Sequence, residues 1–202
     1  MKSRIKLPDL RAARAVILHR PHGLVQAINR QLTAIGLEVS ECWPELAPDV
    51  LGADFVFFDV DMGYDAQFPW TPGCAPMPLI ALIGSEAPGR IEWAISHGSD
   101  AQMLKPVGDA GVYSALLIAR QSYEARQSIQ AENSDLRSRL AERQTVVRAV
   151  TLLAAQGNSE GDAYAKMRQL AMMHRETIEQ AAHRIVARFT QEGGSDVRSD
   201  NN

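Results

Sequence analysis

Two acidic side chains that could support metal chemistry lie at the end of a strand-like apolar run. Asp59 lies near the end of the run 54–60, Asp61 follows two residues later, and Lys105 precedes Pro106 at the end of another apolar run. Carboxylate oxygens are the ligands that Mg²⁺ prefers, whereas a nearby lysine can neutralise the same carboxylates without a metal. The sequence favours a structural ion pair between Asp59 and Lys105, and a metal site at Asp59 and Asp61 is the alternative.

The composition of the chain limits its partners and its compartment. The 202 residues carry a formal net charge of −3, so any nucleic-acid binding must be local. Cys42 and Cys74 are too few and too far apart for a disulfide framework or a zinc knuckle, which favours a reducing cytoplasm. No apolar run approaches the about 20 residues of a membrane span, and the polar start lacks the apolar core of a signal peptide. We expect a cytoplasmic protein with no cofactor, no metal and no membrane partner.

Strand-like and helical patterns alternate through the first half of the chain. Leu24, Ile28 and Leu32 recur at helical spacing before Gly36, and a second helical pattern precedes Gly98. Because parallel strands need a crossover to return, this alternation predicts an α/β fold with a doubly wound, parallel, five-stranded sheet. The strands are predicted at 14–18, 38–43, 54–60, 78–83 and 101–104.

The segment 61–76 has a composition that opposes helix. It contains three prolines, at positions 69, 72 and 76, together with Phe68 and Trp70. The aromatic side chains between Tyr64 and Pro76 either cap the sheet or present a patch to another protein, and the sequence leaves both alternatives open.

These residues resemble the receiver domain of bacterial response regulators. Asp59 stands where that family accepts phosphate, and Lys105-Pro106 matches its lysine and cis-proline-type turn. The resemblance implies phosphoryl transfer assisted by magnesium, which needs an acidic pair after the first strand. This chain has His19-Arg20-Pro21 there, and Ile83 at the place of the switch hydroxyl with Ser85 two residues on. We therefore expect a pseudo-receiver at 1–108, with Asp59 and Lys105 as vestiges and no catalytic residues, which senses by binding either a regulatory protein or its own dimer mate.

A helix without glycine or proline is predicted from about Val112 to Val150. Heptad spacing gives it a seam for pairing with a second copy, and the dimerisation segment is assigned to 109–141. Asn133 would select a two-stranded parallel register. The polar seam residues would determine the register of the dimer more than its affinity. A solvated linker helix with accidental heptad spacing is the alternative. The seam has Val112, Ala119, Arg126, Asn133, Leu140 and Val147 at its a positions and Ala115, Ser122, Ile129, Leu136, Arg143 and Val150 at its d positions. The predicted dimerisation residues are Ile129, Asn133, Leu136, Leu140 and Val147.

Three short helices are predicted after the seam. The first ends at Gly157-Asn158, and Ser159 caps the second. The third is predicted from about Arg175 to Phe189, with Ile178, Ala181, Ala182, Ile185 and Val186 facing inward. The polar, glycine-led tail 193–202 is predicted to be disordered.

The three-helix pattern resembles the ANTAR domain, a family of RNA-binding antitermination regulators, and we assign it to 142–192. The order of pseudo-receiver, coiled coil and this domain resembles the amidase-regulator branch. The resemblance implies a homodimer that binds tandem hairpins of a nascent leader mRNA and prevents a terminator from forming. Thr151 and Leu152-Leu153 replace the usual glycine and leucine-methionine of the first helix. The similarity rests on Arg148-Ala149-Val150-Thr151-Leu152-Leu153, Gly157, Ser159-Glu160, Ala163-Tyr164, Met167-Arg168, Ala171-Met172, Arg175, Ala181-Ala182 and Ile185-Val186.

RNA binding by this region requires that its charges be segregated. Seven basic and six acidic residues lie between Glu142 and Glu192, so the region is nearly neutral. The basic groups would contact phosphate, and Tyr164 and His174 would stack on loop bases. The alternatives are a core position for Tyr164 and a solvated helix face for the arginines. The RNA-binding candidates are Tyr164, Lys166, Arg168, His174 and Arg175.

The sequence thus predicts a non-enzymatic, dimeric transcription antiterminator that is controlled by a negative-regulator protein. A coiled-coil signalling adaptor without nucleic acid is one alternative. A response regulator with a nucleic-acid-binding output is another, disfavoured by His19-Arg20 and by the lack of a clear recognition helix.

Overall fold

A computed structural model describes residues 9–195 of the chain. The chain divides into two compact units, with the boundary between Ser128 and Ile129. No helix in the described part of the chain is long and apolar enough to span a membrane.

The first unit is built around a five-stranded sheet whose neighbouring strands all run parallel. The strand order is β2-β1-β3-β4-β5, and every residue of β3 and β4 is buried. This arrangement confirms the predicted doubly wound, receiver-like sheet. The strands are β1 Arg14–Leu18, β2 Glu38–Cys42, β3 Phe55–Asp59, β4 Leu79–Ile83 and β5 Ala101–Leu104.

Two helices cover one face of the sheet. Helix α1 spans Gly23–Ile35. His22 caps its start, because the His22 side chain accepts from the Leu24 N–H, and Gly36 caps its end with a φ of +100°. That left-handed conformation favours glycine, as the sequence predicted. The second helix, α3, spans Val112–Ala154, and its first turns pack on the same face. The central side chains of this layer are Ile17, Ile28, Leu32, Phe57, Leu82 and Leu116.

The opposite face is covered by helix α2, Pro88–Ser96, and by the aromatic segment after β3. Phe58 packs edge-on against Phe68 and Trp93, with ring centroids 5.6 and 5.8 Å away. Asp65 ties this segment to the helix, because Trp93 Nε1 donates to Asp65 Oδ1 at 2.7 Å and the ring of buried His97 lies 3.1 Å from the same oxygen. Of the two alternatives for the aromatic residues, the structure supports capping of the sheet.

Two crossovers contain no α-helix, and for the second of them, between β3 and β4, this agrees with the predicted composition of 61–76. The connection from β2 to β3 contains only the 3-10 turn Pro48–Gly52, and that from β3 to β4 only the turn Asp65–Gln67. Prolines remove backbone donors and oppose helix in both segments. Apolar and aromatic side chains of these loops cover the sheet where a helix would otherwise lie.

Helix α3 is 43 residues long, and its early heptad positions do not form a free seam. Val112, Ala115 and Ala119 are buried against the sheet, because the same helical face cannot cover a sheet and a second copy at once. Arg126 bonds the Asp100 carboxylate at 3.0 Å and the Gly98 carbonyl at 3.2 Å. These four positions are corrected from seam residues to residues of the first unit.

The second unit contains the end of α3 with helices α4, Glu160–His174, and α5, Ile178–Ser195. Ser159 caps α4 as predicted, its hydroxyl accepting from the Asp162 N–H. Small residues at the helix crossings allow close approach of the three helices. The buried core consists of Ala149, Leu153, Ala163, Met167, Ala171, Ala181, Ala182 and Ile185.

The start and end of α5 differ from the prediction. Arg175 ends α4 in a left-handed conformation with a φ of +56°, so it does not begin the next helix. Thr177 and Gln180 instead exchange capping hydrogen bonds of 3.0 and 3.2 Å at the start of α5. The helix includes residues 193–195 of the predicted disordered tail, and 196–202 lie outside the described residues.

Candidate functional site

The carboxyl ends of the strands in the first unit hold a compact cluster of charged side chains. Asp59 ends β3 and is 1% exposed, and Lys105 follows β5 directly. Lys105 Nζ donates to Asp59 Oδ1, and it also donates to Asp61 Oδ2 at 2.8 Å. The ion pair predicted for Asp59 and Lys105 is therefore present, and Asp61 joins it.

His19 completes the cluster from the end of β1. Its Nδ1 lies 2.7 Å from the Arg20 carbonyl oxygen and its Nε2 lies 3.3 Å from Asp59 Oδ2. Both ring nitrogens thus lie near oxygen atoms. Lys105 therefore contacts both carboxylates, and His19 contacts that of Asp59 alone.

Asp61 is fixed by the backbone that follows β4. Its carboxylate accepts from the Ser85 N–H at 2.8 Å and from the Gly84 N–H at 2.9 Å. Burial tends to raise the pKa of Asp61, but hydrogen bonds from Lys105 and from these N–H groups outweigh burial and lower it. A Cβ at position 84 would lie 2.6 Å from Asp61 Oδ2, so a residue larger than glycine would force the carboxylate to shift.

Both oxygens of the Asp59 carboxylate have partners within the cluster. One carboxylate oxygen contacts Lys105 and the Asp61 N–H, and the other faces His19. Within residues 9–195 no group of three or more His, Cys, Asp or Glu side chains could hold a metal ion. The geometry serves structural neutralisation of two carboxylates at a receiver-like site.

The predicted RNA-binding residues all lie on or directly after α4, and all five are exposed. Tyr164 is 44% exposed, so its alternative as a core aromatic is wrong. At about 100° per residue, Tyr164 and Arg168 share one flank of the helix and Lys166 lies on the other. His174 and Arg175 lie at the carboxyl end, about 15 Å along the axis from Tyr164. The structure brings the five residues to one helix but not to one cluster.

The basic members of this set are available for a ligand. Across residues 9–195 no ion pair engages Lys166, Arg168, His174 or Arg175. Arg184, in contrast, bonds Glu176 at 2.6 Å and is thereby diverted from other anions. Charge is thus partly segregated within a region that is nearly neutral.

Sequence reasoning missed a groove of about 460 Å³ in the second unit. Tyr164 belongs to this groove, together with side chains from α3 and α5 that are far from it in sequence. Helical spacing alone gave no signal for it, because it forms where three elements meet. Its lining consists of Arg139, Glu142, Arg143, Val146, Val147, Tyr164, Ile178 and Glu179.

A receiver-like sheet whose strand ends hold paired Asp59 and Lys105, followed along the chain by a long helix and a small helical unit, defines a response-regulator-like protein. The chain belongs to the AmiR, N-terminal family, which matches residues 13–120, and it carries an ANTAR domain matched over residues 134–186. The predicted identity as an ANTAR antiterminator of the amidase-regulator type is confirmed.

The chain is also similar to individual proteins. The aliphatic amidase regulator of Pseudomonas aeruginosa is 24% identical over 190 residues, covering 92% of this chain and 97% of the relative. Among solved structures, full-length FixJ from B. japonicum has a TM-score of 0.44 at 17% identity, covering 88% of this chain and 98% of FixJ. A Vibrio cholerae chemotaxis protein has a TM-score of 0.41 at 16% identity, covering 54% of this chain and 98% of that protein.

Proposed function

We propose that this protein is a cytoplasmic transcription antitermination regulator that binds hairpins in a nascent leader mRNA and so prevents a terminator from forming. The observation that carries the proposal is the ANTAR match over 134–186, in a unit whose α4 exposes basic side chains without ion pairs. The family resemblance supplies the RNA target, and the exposed charges supply a means of binding phosphate.

On this proposal the basic residues of α4 contact the RNA backbone and position the loop. Lys166, Arg168 and Arg175 bind phosphates, and His174 stacks on a loop base that is splayed from its helix. Loop bases suit this surface because the major groove of an A-form stem is too narrow for side chains to read.

Dimerisation would follow the exposed part of α3. Apolar side chains that are more than half exposed recur there at heptad spacing. Their removal from water in a dimer favours association. Asn133 is exposed at an a position between them, where it would select a parallel register. The apolar residues are Ile129, Leu136, Leu140 and Val147, at 65%, 56%, 57% and 66% exposed.

Control by a negative-regulator protein is supported by the state of the receiver-like site. Because Lys105 and His19 already face the Asp59 carboxylate, a signal would have to arrive by binding and not by phosphorylation. Leu104 and Ile118, each 55% exposed, line a cavity of about 470 Å³ beside the edge strand β5. Exposed apolar side chains of this kind are typical of a protein-binding surface.

The direct test replaces two exposed arginines of the second unit. Arg168→Ala with Arg175→Ala should weaken hairpin binding and reduce the slope of log K against log salt by about 1 to 2, since each lost phosphate contact removes about one unit. Both side chains are exposed, so the free energy of unfolding should change by no more than about 0.5 kcal/mol. Gel shifts over a salt series, with duplex DNA as competitor, measure the effect.

The matched control is Arg11→Ala with Arg30→Ala, which removes the same charge from exposed positions of the first unit. The control should leave the salt slope unchanged. Equal hairpin affinity for the Arg168/Arg175 variant and the unsubstituted chain would exclude these residues from the site. Absence of binding to any hairpin by the unsubstituted chain would favour the signalling-adaptor alternative.

A further inference from the structure

The groove of the second unit exposes apolar surface that the three-helix core does not use. Val147 on α3 is 66% exposed and Tyr164 on α4 is 44% exposed, and both line the groove beside the partly buried Ile178. Tyrosine combines a large apolar ring with a polar tip, so a half-exposed tyrosine is a common element of protein interfaces. The surface is therefore suited to a partner with an apolar face.

The exposed stripe of α3 leads directly into this groove. Ile129, Leu136, Leu140 and Val147 follow one another at steps of seven, four and seven residues, which keeps them on one side of the helix. Val147 is both the last residue of the stripe and a lining residue of the groove. A helix that covered the stripe would thus continue alongside the groove wall.

We propose that the groove receives α3 of a second copy of this chain, and that Tyr164 packs against that helix in the dimer. The inference rests on the dimer of the proposed function but not on its RNA target. The proposed contact extends the dimer interface beyond the heptad seam of α3 to a residue of α4. It assigns Tyr164 to the dimer interface and not to stacking on an RNA base.

Charge along the seam favours a parallel second copy. In that register Glu132, at a g position, lies opposite Arg137 of the other copy, at an e position, and symmetry forms this attractive pair twice. Arg143, at a d position, would face Arg143 of the other copy, and it makes no ion pair with any residue of 9–195. Glu142 and Glu179 line the same groove and offer carboxylates to those guanidinium groups.

The same carboxylates make RNA a poor occupant of the groove. Glu142 and Glu179 balance the charges of Arg139 and Arg143 in the lining, and Arg139 is already paired with Asp135, so the groove offers no net positive charge to a phosphate backbone. The pKa of Glu179 is lowered, first by the hydrogen bond from its own N–H and then by that from Thr177, so its carboxylate stays ionised also under mildly acidic conditions. A helix with an apolar stripe flanked by charges of both signs suits this mixed lining better than an anion does.

The test measures dimer dissociation of the full chain carrying Tyr164→Arg, by sedimentation velocity over a concentration series. A charge placed against the apolar stripe should raise the dimer Kd by about tenfold or more, because the buried centre of an interface tolerates an unpaired charge poorly. Tyr164→Phe keeps the ring and should leave the dimer Kd within about twofold. Met172→Ala is the matched control, since Met172 is 67% exposed on the same helix outside the groove.

The readouts separate the two assignments of Tyr164. An unchanged dimer Kd for Tyr164→Arg overturns the proposal, and a simultaneous loss of hairpin affinity would assign Tyr164 to RNA. Circular dichroism checks folding, and Tyr164→Ala provides the same comparison if the arginine variant unfolds. Failure of the unsubstituted chain to bind hairpins would refute the proposed RNA function, while the dimer measurement would still decide the inference.

Discussion

Single side chains account for the charge pairing at the receiver-like site of the first unit. Lys105 joins the Asp59 and Asp61 carboxylates, and His19 occupies a position where a receiver carries acidic metal ligands. The lowered pKa of Asp61 means that its contribution to stability is present above the pKa it has when unfolded and is lost as pH falls through the folded value. The cluster is therefore complete at neutral pH without phosphate or metal.

Asp59→Ala tests the role of this cluster. Because Asp59 is buried among its partners, we expect no aspartyl phosphate on the unsubstituted chain after incubation with acetyl phosphate, as measured by mass spectrometry. Asp59→Ala should lose about 1–3 kcal/mol of unfolding free energy, from unpaired polar groups, while antitermination in vivo persists. Asp59→Asn keeps the side-chain volume and controls for packing. An inactive but folded Asp59→Ala protein would restore the phosphorylation mechanism.

At the level of elements, α3 serves two different purposes along its length. Its first turns cover the sheet, and Arg126 anchors it to Asp100 within the first unit. Burial raises the pKa of Asp100 despite the opposing hydrogen bond from the Leu79 N–H and the charge of Arg126. Beyond Ser128 the helix exposes the apolar stripe that would bind a second copy.

Arg126→Ala should destabilise the first unit. The substitution leaves the Asp100 side chain, 4% exposed, without its cationic partner, and loss of one member of a buried ion pair costs about 3 kcal/mol. Urea unfolding monitored by tryptophan fluorescence measures the effect. Arg11→Ala breaks an ion pair whose side chains are 81% and 62% exposed, so it should cost less than about 1 kcal/mol. Equal costs for the two variants would show that the Asp100 contact does not anchor the helix.

Asn133→Leu should tighten the dimer or change its register. An asparagine at an a position lowers coiled-coil stability while specifying two parallel strands, so leucine removes both effects. Thermal melting at several protein concentrations and sedimentation equilibrium report stability and copy number. Identical melting curves and copy number for the variant and the unsubstituted chain would place the seam elsewhere on the protein.

For the whole molecule, the proposed dimer matters because it would supply two RNA-binding units to one transcript. Linked binding events gain affinity without new contacts, since the second event becomes intramolecular. A single near-neutral ANTAR region can make few phosphate contacts. Two such regions in one dimer would compensate for the weak binding of each. The tandem hairpins implied by the family resemblance fit this arrangement.

Leu136→Arg with Leu140→Arg tests this dependence on two copies. Both residues are more than half exposed, so the substitutions should spare the fold of the single chain while preventing pairing. Affinity for an RNA with two hairpins should fall by about a hundredfold or more, whereas affinity for one hairpin should change little. Isothermal calorimetry with both RNAs provides the comparison.

The control is Leu51→Arg, which makes the same kind of change at a residue of the first unit that is 63% exposed. This control should bind both RNAs as the unsubstituted chain does. A monomeric Leu136/Leu140 variant that retained full affinity for the two-hairpin RNA would show that one copy suffices.

Local patterns in the sequence were sufficient for the parallel sheet, the cap at Ser159 and the pairing of Asp59 with Lys105. Alternating elements, capping residues and strand ends obey short-range rules, and the ends of parallel strands meet at one edge of a sheet. The positions of the early seam residues of α3 could not be read in this way, because an apolar heptad has the same spacing whether a sheet or a helix covers it. The start of α5 follows a local rule as well, because Thr177 and Gln180 have the three-residue spacing of a capping box, but helical periodicity alone did not locate it. The groove around Tyr164 depends on contacts between residues distant in sequence, which periodicity does not encode.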